Sequence, residues 1–162
     1  MLALFWILLA AGTPAAGAQD LPRGQVIEDV KCAADATQSY ALYLPSRYSP
    51  DRPWPILMGF HPAARGRAIV EKYRAAAEQY GYIVAASNNS RNGPWEVSER
   101  AVVAMARDVG GRFAINPARM YATGHSGGAR VAMQLALGKN GIAGVIASSA
   151  GYPDSRPRSS LP

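Results

Sequence analysis

Two short, almost wholly apolar runs, ILMGF (56–60) and YIVAAS (82–87), flank a stretch in which apolar residues recur every three to four positions. A strand that is apolar on both sides must be covered on both faces. A helix-length connection between two such strands lets them run parallel, with the helix packed back on the sheet. This alternation narrows the chain to a layered α/β domain before any single residue is considered.

The remaining pattern agrees. QVIEDV (25–30) is a weak β-type run, and SYALYLP (39–45) is a better one, with Tyr40, Leu42 and Leu44 alternating against Ser39, Ala41 and Tyr43. The segment 46–55 is a loop with Pro50, Pro53 and Pro55. Ile69, Tyr73, Ala76/Ala77 and Tyr80 predict a helix stopped by Gly81. NNSRNGPW (88–95) reads as a loop. Val102, Met105, Ala106 and Val109 predict a helix over 97–109. A strand over 116–124, a helix over 126–137 with Arg130 and Gln134 as its polar edge, and a last strand over 144–151 follow. The predicted order is β-β-β-α-β-α-β-α-β, a mostly parallel sheet with flanking helices and no internal repeat.

Length and charge limit the function classes. The 162 residues suit one domain with a real core. The net charge of +6 comes from scattered residues, 14 of them Arg, without a basic run interleaved with aromatics. That argues against nucleic acid as a partner. Cys32 is the single cysteine, so no disulfide and no cysteine metal cluster can close within this sequence; a lone partly buried thiol or a partner cysteine in a missing part of the chain stays open. No metal or cofactor motif is present: Gly124, Gly127 and Gly128 match neither a P-loop nor a dinucleotide fingerprint.

The amino terminus reads as an export signal. LALFWILLAA is an apolar run too short to span a bilayer, and it is followed by Ala16-Gly17-Ala18. Cleavage after Ala18 would leave a domain over 19–162, secreted or periplasmic, with no membrane attachment after cleavage. The run departs from the usual pattern in lacking Lys or Arg before it.

The chemistry-bearing stretch is MYATGHSGGAR (120–130). Gly124-His125-Ser126-Gly127-Gly128 fits G-x-S-x-G, and it stands where a strand gives way to a helix. A serine at such an elbow has strained backbone and an exposed Oγ. Cβ atoms at 124 and 128 would strike neighbouring backbone. The Gly127 N–H then points at a developing oxyanion. His125 adjoins the serine in sequence, but an elbow sends adjacent side chains apart, so His125 is not expected to be the base. The second oxyanion donor should come from the loop after the third strand, GFHPAARGR (59–67). Pro62 has no N–H, so Ala63 is the first candidate and Ala64 the second. His61 is expected to shape that loop rather than to take protons.

YALYLPSRY, PILMGFHP, NPARMYATGHSGGARVAM and GIAGVIASSAGYP together resemble the N-terminal two-thirds of secreted α/β-hydrolase esterases, most of all the polyhydroxybutyrate depolymerase and feruloyl esterase-like group. The likeness runs over about residues 38–153. It implies that Ser126 is the nucleophile of carboxylic ester hydrolysis, acting on a small or polymeric ester. It also implies that Gly127 and the His61-Pro62-Ala63 loop form the oxyanion hole. Sheet order 1-2-4-3-5-6-7-8 belongs to that fold.

The family order is Ser, then Asp or Glu, then His. After Ser126 this sequence has no His, and Asp154 is its only acid. Three readings stay open: a fragment ending after about the sixth strand, a natural short exported domain that binds a ligand without catalysis, or an active site with substitute groups such as Asp154. The loop 88–95 and Trp95 are candidates for the substrate side. The uncharged strand 144–150 would be an open sheet edge, prone to pair with another copy.

Overall fold

The computed structural model describes residues 21–138 and 141–152. The expected leader and Asp154 lie outside the described residues. The elements are β1 (Val26–Cys32), β2 (Asp35–Tyr43), β3 (Trp54–Phe60), α1 (Gly66–Tyr80), β4 (Ile83–Ser87), α2 (Trp95–Arg112), β5 (Ile115–His125), α3 (Gly127–Leu137) and β6 (Ile142–Ser148).

They form one six-stranded sheet in the order β1-β2-β4-β3-β5-β6. The β1-β2 and β2-β4 pairs are antiparallel, whereas β4-β3, β3-β5 and β5-β6 are parallel. β3 and β4 are buried at every position, as their unbroken apolar runs require.

Alternation along the strands divides the core in two. Tyr40, Leu42, Ile56, Met58, Phe60, Ile83 and Ala122 face α2 and α3, whose Met105, Val109, Val131, Ala132 and Leu135 cover them. Ala41, Tyr43, Leu57, Val84 and Ala86 face the opposite way, against Ile69, Val70 and Ala77 of α1. Helix α1 ends where expected: Gly81 takes φ 72°, and its N–H and that of Tyr82 both donate to the Ala77 carbonyl. Tyr80 stands outside the buried stripe that its spacing predicts, at 66% exposure.

Several boundaries differ from the sequence reading, most of all at β2, α2 and β6. β2 begins at Asp35 and joins β1 through the tight turn Ala33-Ala34, although neither residue is a turn signal. A distant group holds that turn: the Ala33 N–H donates to Asp108 of α2 at 2.8 Å. Asp108 also accepts from the Tyr40 hydroxyl at 2.7 Å and from both arms of Arg112, at 2.9 and 3.0 Å. α2 starts at Trp95 and runs to Arg112, and β6 covers 142–148 rather than 144–151.

The two sheet edges are unlike. β1 carries Glu28, Asp29 and Lys31, which discourage pairing with a further strand. β6 has no charged residue, and Ile146 is 53% exposed. Beside it lies an apolar hollow of about 450 Å³ lined by Leu57, Tyr73, Tyr80, Tyr121, Val145 and Ile146.

Candidate active site

Ser126 occupies the single position between β5 and α3, as N-cap of the helix, with φ 51° and ψ −120°. A non-glycine residue in that region stores on the order of 1–3 kcal/mol of strain and persists only where its surroundings fix it. Those surroundings are visible. The Ser126 N–H donates to the Ser148 carbonyl at the end of β6 at 2.8 Å, and the Ala129 N–H donates to the Ser126 carbonyl at 3.0 Å. Thr123 Oγ1 donates to the Ile146 carbonyl at 2.9 Å and lies 2.9 Å from the Tyr73 hydroxyl, so α1, β5 and β6 are tied together just below the elbow.

The glycine pattern has a steric cause. A Cβ at Gly124 would lie 2.2 Å from the Gly128 carbonyl, and one at Gly128 would lie 2.1 Å from the Phe60 carbonyl oxygen. Gly127 is constrained by something the motif does not reveal: its Cβ would fall 1.7 Å from Asn92 Oδ1. Asn92 therefore sits directly over the helix start.

The loop after β3 approaches from the other side. The Ala63 N–H donates to Nδ1 of His61 at 3.0 Å, and the Ala64 N–H donates to the His61 carbonyl at 3.1 Å. His61 thus organises the loop, and the amide of Ala63 is already engaged. Burial pushes the His61 imidazole below its ordinary value, with the charges of Arg65 and His125 adding to that effect. An unprotonated Nδ1 is what the Ala63 bond requires. Ala64 takes φ 55° and Ser149, one residue beyond β6, takes φ 59°. With Ser126, these are the non-glycine residues at positive φ among the described residues. His125 is exposed at the end of β5, and among the described residues no hydrogen bond joins either histidine to Ser126.

Loop 88–94 completes the site. The Asn92 N–H donates to the Pro62 carbonyl at 2.8 Å, and Ala63 bridges Arg91 in antiparallel fashion. Ser98, buried in α2, donates to the Arg91 carbonyl at 3.0 Å. The result is a cleft of about 450 Å³ lined by Ser126, Gly127, Asn92, Trp95, Arg91 and Arg130, with Gly93, Ser98 and Val131. The sequence suggested loop 88–95 and Trp95 for this face. It did not suggest Asn92 individually, or Arg130, which reads as an ordinary polar helix edge. Among the described residues no group of His, Cys, Asp and Glu is arranged to hold a metal, and no helix is long and apolar enough to cross a membrane.

No protein-family model and no curated protein matches the sequence. Solved structures do match by shape. FphF, a fluorophosphonate-binding serine hydrolase of Staphylococcus aureus solved with bound substrate, superposes with a TM-score of 0.61 at 17% identity, covering 80% of this chain and 58% of its own. The S-formylglutathione hydrolase FrmB of the same organism gives 0.62 at 16% identity, covering 78% and 57%. A thermostable esterase gives 0.58 at 18% identity, covering 79% and 41%. The chain spans about half the length of these neighbours. The sheet order, the strained serine between β5 and α3, and these superpositions together identify the architecture as the α/β-hydrolase fold.

Proposed function

We propose that this chain derives from a carboxylic ester hydrolase whose nucleophile is Ser126. The observation that carries this reading is the backbone of Ser126, held at φ 51° at the mouth of a cleft and between two close-packed glycines. A turn that needed no exposed hydroxyl could place glycine there at lower cost. The structural neighbours named as esterases and serine hydrolases support the same chemistry.

In the proposed reaction Ser126 Oγ attacks the ester carbonyl and its proton passes to a base. The tetrahedral oxyanion accepts from the Gly127 N–H and, once His61 releases it, from the Ala63 N–H. Collapse expels the alcohol and leaves an acyl-serine, which water hydrolyses to the acid. Without a histidine base, turnover falls by several orders of magnitude. A second reading is an exported domain that binds ester-like ligands without turning them over, with the Ala63 amide kept on His61 Nδ1. In either case we propose the polyhydroxybutyrate depolymerase and feruloyl esterase-like group as the source, and export with cleavage after Ala18, readable as the mass of the mature N-terminus.

The deciding experiment is a fluorophosphonate probe with peptide mapping. Labelling confined to Ser126 supports an activated nucleophile. A folded chain that stays unlabelled while binding esters supports the binding domain.

A further inference from the structure

We infer that the cleft at Ser126 selects esters that carry a carboxylate a few bonds from the scissile carbonyl, such as hemiesters of short dicarboxylic acids. This rests on the ester-site reading of Ser126 and adds a substrate class to it.

The cleft is lined by two arginines, Arg91 and Arg130, and among the described residues by no Asp or Glu. Most of the other described arginines are engaged. Arg67, Arg100 and Arg112 pair with carboxylates, and Arg23, Arg52 and Arg119 lie over aromatic rings. Arg91 and Arg130 have neither kind of partner among the described residues. The first turn of α3 holds no acidic residue, so the positive end of the helix adds to their field. Two arginines and a helix start thus border one concavity, with no acidic residue among its described lining.

The spacing limits the ligand. Arg130 lies one helical turn beyond Ser126, about 6 Å along the axis. A carboxylate held by Arg130 while the ester carbonyl meets Ser126 calls for a short spacer, for which Val131 and Trp95 supply an apolar wall. Arginine suits the task because its planar fork meets both carboxylate oxygens.

The test compares monoethyl succinate with diethyl succinate on the full chain, by calorimetry and amide-shift mapping. The monoester should bind about tenfold more tightly at low ionic strength, a preference that shrinks as salt screens it. It should shift the amides of Gly127 and Arg130. Arg91→Gln and Arg130→Gln should each weaken the preference, and the double variant should abolish it while still binding the diester. Arg107→Gln, an equal charge loss on the exposed face of α2, should leave it intact. Equal affinity for the two esters, a preference that survives the double variant, or shifts mapping away from the cleft would each overturn the inference. Fluorophosphonate labelling scores the nucleophile separately. Labelling without monoester preference sinks only the substrate class, and monoester preference without labelling sinks only the nucleophile.

Discussion

The backbone N–H of Ala63 donates to Nδ1 of His61 at 3.0 Å, so the amide that the sequence reading names first as a second oxyanion donor is held by a side chain of its own loop. The bond exists only while Nδ1 is unprotonated. Burial first, and then the charges of Arg65 and His125, lower the His61 value from its ordinary 6.5. A depressed value means that the unfolded chain binds the proton first as pH falls. The associated stability is therefore present above pH 6.5 and is lost as pH falls through the folded-state value. In an NMR titration the Ala63 amide should move together with the His61 ring, with a midpoint below 6.5. A midpoint above that value would contradict this arrangement.

Strain at the elbow predicts an order of stabilities. Ser126→Gly removes the penalty of positive φ and should melt higher than Ser126→Ala by about 1 kcal/mol in stability. Gly124→Ala and Gly128→Ala place a methyl against backbone that has little room to yield, and each should cost about 2–3 kcal/mol. Chemical denaturation of the four variants measures this directly. A Ser126→Ala variant as stable as Ser126→Gly would mean the backbone is relaxed.

Asp108 should be the most sensitive acidic residue for folding. Its side chain is 4% exposed and bonds Arg112, Tyr40 and the Ala33 amide. Asp108→Asn leaves Arg112 without its counter-charge and should cost about 3–5 kcal/mol. Desolvation raises the Asp108 value, but the bonds from Arg112, Ala33 and Tyr40 outweigh it, so the net shift is downward from 3.8. The stability it contributes is present above pH 3.8 and is lost as pH falls through the lowered value. Acid unfolding monitored by circular dichroism should begin at higher pH in chains where Arg112→Met removes the partner. An unchanged acid limb would show that this network does not set it.

Catalysis itself should be weak. A short-chain nitrophenyl ester is expected to be turned over little above background, with the small residue lost in Ser126→Ala. Fast turnover that vanishes in Ser126→Ala would contradict this and would show that a base within the chain activates Ser126.

Self-association through β6 is proposed from its uncharged, half-exposed edge and the apolar hollow beside it. Size-exclusion chromatography should show a concentration-dependent shift to larger species, and Ile146→Lys should reverse it. A monomer at all concentrations with slow amide exchange across 142–148 would exclude this surface.

By itself the sequence determined the layered architecture, because unbroken apolar runs at β3 and β4 and a 3–4 residue period between them leave no other way to bury both faces. It also located Ser126, since the requirement for glycine at 124 and 128 comes from backbone atoms only a few residues or one strand away. Tertiary structure alone decided the rest. The Ala33-Ala34 turn has no local signal, because the group that fixes it, Asp108, is 75 residues distant. Asn92 over Gly127, the engagement of Ala63 by His61, and the convergence of Arg91 with Arg130 on one cleft arise where separate loops meet. Side-chain charge and hydrogen bonding act through space. A chain order in which 63, 92 and 130 lie far apart carries no record of their meeting until the sheet has brought its strand ends to one edge.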